Sequence, residues 1–149
     1  MNKKVAVLMG GCSAEREGSL SSGRAVVKAI KEMPMNVVSI DVQNDLGELL
    51  FKLDPKPDVV FNALHGRFGE DGRVQAILDM LEIPYTHSGV LASALAMNKV
   101  VAKRIFNISG IRSPKYEVVC STNFNKKINF KKPYVLKPIN EGSSVGVHI

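Results

Sequence analysis

Lys4-Val5-Ala6-Val7-Leu8-Met9-Gly10-Gly11-Cys12-Ser13-Ala14-Glu15-Arg16-Glu17-Gly18-Ser19 decides the fold. Residues 4–9 are a short β-branched and apolar run that stops at a glycine pair, which reads as a buried strand entering a tight turn. Leu20, Gly23, Val26, Val27 and Ile30 then recur at helical spacing until Pro34 stops the helix. The same alternation continues outward. Residues 37–42 read as a second strand. Leu46, Leu49, Leu50 and Leu53 fit a short helix, and Pro55 and Pro57 mark a turn. Residues 58–64 read as a third strand. Val74, Ile77, Leu78 and Leu81 repeat the helical template up to Pro84. A β-α-β-α-β-α order implies an α/β fold, a parallel sheet covered by helices, with ligands held by loops at the carboxyl ends of the strands. Two loops sit there, residues 10–19 and 65–72. Beyond residue 84 the pattern changes: 90–97 is small and apolar, 98–108 is helical, and 116–120 and 133–137 read as strands. Residues 121–132 read as a polar loop or short helix. The expected domain boundary lies near 95–98, giving 1–96 and 97–149.

The chain has 149 residues, of which 45% are hydrophobic and 23% charged. That is ordinary for a folded globular chain, long enough for its own core. No apolar run approaches the roughly 20 residues of a membrane helix, and the basic start is not followed by a signal-peptide core. Cys12 and Cys120 have no metal-ligand spacing, which fits reduced thiols in a cytoplasmic protein. The net charge of +6 is uneven: residues 1–110 carry 13 basic and 12 acidic side chains, residues 111–149 carry 7 and 2. Lys126, Lys127, Lys131 and Lys132 lie beside Phe124 and Phe130, as a nucleic-acid surface would want. A solvated loop balanced by acids elsewhere accounts for them equally, and no nucleic-acid or membrane partner is expected.

Three segments carry chemistry. In residues 10–19, Glu15 stands where a dinucleotide fingerprint needs its third glycine, so it would repel a pyrophosphate and suits a cation such as an ammonium. It could equally decorate a helix N-terminus. In residues 65–72, His65 closes a strand and can donate to a carboxylate or act as a base. Glu70 and Asp71 could cap the next helix or fix the tautomer of His65. In residues 137–146, Lys137 precedes a Gly/Ser loop able to grip a phosphate through a point charge and directed donors, although no P-loop pattern is present.

Together these segments resemble the D-alanine–D-alanine ligases of the ATP-grasp superfamily. Residues 10–19 are similar to GGxSxEREVS, 65–72 to HGxxGEDG and 137–146 to KPxxEGSSVG, and 93–99 lie near SALxMDK. The resemblance implies a Rossmann-like pre-ATP-grasp domain over 1–96 and the beginning of an ATP-grasp domain over 97–149. It implies ATP-dependent joining of two D-alanines through an acyl phosphate, for peptidoglycan synthesis. By the same resemblance, Glu15 anchors the ammonium of the first D-alanine, His65 orients its carboxylate, and Ser143 places it and ties this loop to a lid. These three form the expected catalytic set. Gly18 borders the substrate, while Lys99, Lys137, Gly142, Ser144 and Gly146 belong to the nucleotide grip. ATP and Mg2+ (or Mn2+) are the implied cofactors, with no metal ligand in this chain, and the implied partner is a second copy through the N-terminal domain. The adenine hinge, metal ligands, phosphoryl-stabilising arginine and lid of the family are not found here, so a fragment inactive alone is expected. Another ATP-grasp carboxylate–amine ligase and a stand-alone binding or dimerisation module are the alternatives. Three departures stand out. Gly18 replaces a valine, which widens the subsite; Asn98 replaces an aspartate; and His87 replaces a glycine.

Overall fold

A computed structural model describes residues 2–120 and 130–149. Lys126, Lys127, Phe124 and most of the expected 121–132 loop therefore lie outside the described residues. The element order is β1 (Lys4–Gly10), α1 (Arg16–Lys31), β2 (Asn36–Val42), α2 (Leu46–Lys52), β3 (Val59–Asn62), α3 (Arg73–Met80), α4 (Val90–Met97) and α5 (Lys99–Ile108). The three strands pair in parallel in the order β2-β1-β3. The sheet is thus the parallel α/β arrangement that the alternating pattern predicts.

Side-chain alternation along β1 sends its residues to two cores. Val5, Val7 and Met9 pack with Ile30 and Ala63 under α1. Ala6 and Leu8 pack with Leu49 of α2, with Leu53 just after it, and with Val74 and Leu78 of α3 on the other face. Burial on both sides explains why the strand reads as a continuous apolar run. Helix α2 starts where the Asp45 side chain accepts the Glu48 N–H at 3.0 Å. A bidentate pair ties the start of α1 to the end of β2: Arg16 Nη1 donates to Asp41 Oδ1 at 2.8 Å and Nη2 to Oδ2 at 2.7 Å.

Beyond β3 the structure departs from two strand expectations. Residues 116–120 form no strand. Residues 133–137 contribute a single antiparallel bridge, Leu136 to His148. Residues 133–137 have β-forming composition, but a longer strand also needs a neighbour to pair with along its length and a surface to bury against. Residues 90–97, read only as small and apolar, form α4. Asn98 separates α4 from α5 with extended backbone angles, and its Oδ1 accepts from the N–H groups of Val100 and Val101 at 3.0 and 3.1 Å. An aspartate would make the same cap, so this departure preserves the helix start.

Candidate functional site

From β1 the chain passes to β2 on one side, and β3 lies on the other. The sheet order reverses between β1 and β3, and the crevice beyond their carboxyl ends is where such sheets take ligands. Glu15 follows β1 and His65 follows β3, so the two residues flank this crevice.

Glu15 occupies the N-cap position of α1, yet its side chain makes no capping bond. Glu15 therefore does not serve as a hydrogen-bonding cap, although its charge lies at the helix N-terminus. The residue is only 7% exposed. Both carboxylate oxygens are buried with no hydrogen-bond partner among the described residues. Two glycines frame them. A Cβ on Gly66, whose φ is +69°, would collide with Oε2, and one on Gly142 would lie 3.1 Å from Oε1. The Ser13 hydroxyl holds the loops together, donating to the His65 carbonyl at 2.8 Å and accepting the Glu15 N–H at 3.1 Å. Ser19 anchors the base of the crevice: its buried hydroxyl accepts from Gly10 N at 2.9 Å and donates to the Ala63 carbonyl at 2.7 Å.

The His65 ring stands half-buried with Nε2 3.2 Å from the Ser22 hydroxyl. Glu70 and Asp71 do not fix its tautomer. Glu70 Oε2 accepts the Gly66 N–H at 2.6 Å, and Asp71 accepts from Phe68 and Arg73 at 3.0 and 3.3 Å. These acids instead hold the turn that brings Gly66 against Glu15. A Cβ on Gly18 would lie 4.0 Å from His65 Cδ2, so a larger residue there would lean on the imidazole.

The segment around residue 142 reaches the crevice through Lys99. The Lys99 N–H donates to the Ile139 carbonyl at 3.1 Å, and its ammonium donates to the carbonyls of Glu141 and Ile139. Lys99, Glu141 and Gly142 line a cleft of about 560 Å³ together with Glu70, His87 and Ser93. Gly142 thus borders both this cleft, with Lys99, and the Glu15 carboxylate, while Gly18 lies beside His65. Lys137, Ser143, Ser144 and Gly146 lie exposed on the neighbouring segment, and both serines have left-handed backbone angles, φ 44° and 63°. Among the described residues no group of three or more His, Cys, Asp or Glu is placed to hold a metal ion.

Sequence reasoning missed the buried amides behind the cleft. Asn62 Nδ2 and Gln75 Nε2 each donate to the Gly69 carbonyl at 2.8 Å. Both also approach His87 Nδ1, at 3.3 and 3.2 Å. The available signal was a polar residue interrupting an apolar pattern: Asn62 at the end of β3, and Gln75 beside Val74 on the inner face of α3.

The fold and its crevice define a class, an open parallel α/β domain that presents a buried carboxylate at the switch point of its sheet. Comparison with known proteins narrows it. Residues 48–88 match the family model described as the D-ala D-ala ligase N-terminus. The chain is 52% identical over 147 residues to a D-alanine–D-alanine ligase of Acidiphilium cryptum, covering 99% of this chain and 49% of that protein. With D-alanine–D-alanine ligase B of Mesorhizobium japonicum it shares 54% over 148 residues, covering 99% and 47%. The crystal structure of the Bacillus anthracis D-alanine–D-alanine ligase superposes with a TM-score of 0.79 at 34% identity, over 98% of this chain and 48% of that one. The same enzyme complexed with ATP gives 0.71 over 77% and 37%. The chain is similar over nearly its whole length to the N-terminal portion of D-alanine–D-alanine ligases. It spans about half the length of the curated relatives it matches. No helix among the described residues is long and apolar enough to cross a membrane.

Proposed function

We propose that this chain supplies the first-substrate wall and part of the phosphate grip of an ATP-dependent D-alanine–D-alanine ligase. The observation that carries the reading is the Glu15 carboxylate, buried, framed by Gly66 and Gly142, and without a hydrogen-bond partner among the described residues. A carboxylate in that state asks for a cation with N–H donors, and the ammonium of an amino acid is such a group. His65 stands across the crevice to orient the carboxylate of the same substrate. Gly18 leaves room beside the imidazole, and Ser143 helps place the substrate from the third loop.

The donors present fit a phosphate chain. Lys99 and Lys137 offer ammonium groups, and Gly142, Ser144 and Gly146 offer backbone and hydroxyl donors on a loop with left-handed turns. Lys99 would exchange its carbonyl partners for phosphate oxygens. Bound ATP supplies the phosphoryl group that activates the substrate carboxylate. The residues here hold the substrate still, screen charge and exclude water from the activated carboxyl. Mg2+, where it is bound, takes its ligands from outside the described residues. Residues 1–96 act as the substrate domain and 97–149 as the start of the nucleotide domain, in a cytoplasmic enzyme that pairs with a second copy.

Glu15→Gln tests the reading, because it keeps the shape and removes the charge. Titration calorimetry with D-alanine should show binding weakened by about 2–5 kcal/mol, the loss when one partner of a buried charge pair goes. Unchanged affinity would sink the assignment. Phosphate release with Mg-ATP by the protein carrying this chain should respond to D-alanine above other amino acids. Preference for a different amino acid would make it another carboxylate–amine ligase.

A further inference from the structure

His87 is where the resemblance expects a glycine, and the proposed function gives it nothing to do. Its surroundings are specific. Asn62 is buried, and its amide orientation is set from both sides, since Oδ1 accepts the Leu64 N–H at 3.1 Å while Nδ2 donates to the Gly69 carbonyl. Gln75 is fully buried, and its Nε2 donates to the same carbonyl. Each amide therefore turns its remaining N–H toward His87 Nδ1, at 3.3 and 3.2 Å. An imidazole nitrogen facing two N–H donors has to accept, so the ring proton sits on Nε2. All hydrogen bonds of the ring with described residues enter at Nδ1. Two charged groups of the cleft wall are already engaged. Glu70 accepts from Gly66, and Lys99 donates to the carbonyls of Ile139 and Glu141. Gly142 connects the two places, bordering this cleft and the Glu15 carboxylate alike.

We propose that His87 is a ligand-positioning residue, held by Asn62 and Gln75 as a neutral Nε2–H donor that takes an anionic oxygen of the ligand bound beside Glu15. The inference rests on the reading of Glu15 as the ammonium site. Two groups offer that oxygen, the carboxylate of an amino acid and a phosphate of ATP. The neutral donor selects for geometry without adding a full charge to a cleft that also holds Glu70 and Glu141. A glycine could not supply this bond, so the chain carries a contact that the glycine pattern lacks.

The test combines ring NMR with titration. In 15N-labelled protein, His87 should show a protonated Nε2 and an unprotonated Nδ1 before any ligand is added. His87→Gly should weaken one probe, D-alanine or ATP, by about tenfold, as expected for a hydrogen bond to a charged group, and leave the other unchanged. The probe affected identifies the source of the oxygen. Gln75→Glu replaces a donor with an acceptor and should move the ring proton to Nδ1, with the same loss of affinity while His87 is still present. His87→Gln, whose amide can still donate, should recover part of the affinity and covers the case in which the buried Gln75→Glu does not fold. A protonated Nδ1 in the unliganded chain overturns the proposal, as does unchanged affinity of His87→Gly for both probes. If the unsubstituted protein binds neither probe, the Glu15 reading falls, and this inference falls with it.

Discussion

Residues 2–93 and residues 94–149 both contain apolar segments but are held in different ways. Every buried hydrophobic residue lies between Val5 and Ile83, and Ser93 is the last buried residue among those described. Helix α5 buries none of its side chains, and Ile105, Phe106, Ile108 and Ile111 face outward. The first region is ordered by two apolar layers on a sheet. The second is positioned by directed bonds: Lys99 to the carbonyls of Ile139 and Glu141, and Leu136 to His148 in both directions at 2.8 and 3.0 Å. Apolar composition alone does not make a core, because stability follows the area removed from water.

The sharpest way to break this contrast is to cut equal side chains from both regions. Leu78, fully buried, should cost about 2–5 kcal/mol on replacement by alanine, whereas Ile108→Ala, at 86% exposed, should stay within about 0.5 kcal/mol in urea unfolding. Comparable losses would mean that the second region has a core of its own. Next comes Ser19→Ala, which leaves the Gly10 N–H and the Ala63 carbonyl without their buried partner and should cost about 1–3 kcal/mol. Hydrogen exchange sharpens the contrast further. Amides of β1 and β3 should exchange only on global unfolding, and those of residues 136–148 through local opening, which Lys99→Ala should accelerate. The smallest effect concerns Asp41. The guanidinium of Arg16, bonded to it in a fork, holds its carboxyl below the usual aspartate range, with Lys52 adding to the effect. Stability from that pair is complete above the ordinary aspartate value and is lost as pH falls through the lowered one. Asp41→Asn should therefore destabilise slightly at pH 7 and not at all in strong acid, where thermal melts of the two proteins should converge. Solvent screening keeps the effect small, since the two side chains are 33% and 42% exposed.

The first region was legible because its forces are periodic. Apolar spacing gave β1, α1, β2, α2, β3 and α3, and the prolines gave their ends. The position of Glu15 and His65 at the mouth of the sheet was legible too, since a charged or ionisable residue after a parallel strand is a local pattern. What sequence could not show is which distant groups meet. Glu70 and Asp71 are adjacent to the histidine loop, yet they bond its backbone and not the ring. Asn62, Gln75 and His87 converge from a strand, a helix and a loop, and nothing periodic links them. Residues 133–137 have strand-forming composition, but pairing depends on a neighbour that composition does not specify.

The two glycines against Glu15 also constrain how this protein can change over generations. Positions 15, 66 and 142 share one small volume, though they lie on segments far apart in the chain. A methyl group at 66 would strike the carboxylate, and one at 142 would crowd it. A substitution at 142 becomes harmless only after Glu15 has shortened, whereas Gly66 is also required by its left-handed backbone, φ +69°, whatever stands at 15. Positions 15 and 142 are thus epistatic. Descendants keep Glu15 and Gly142 together or abandon the carboxylate pocket before position 142 can change.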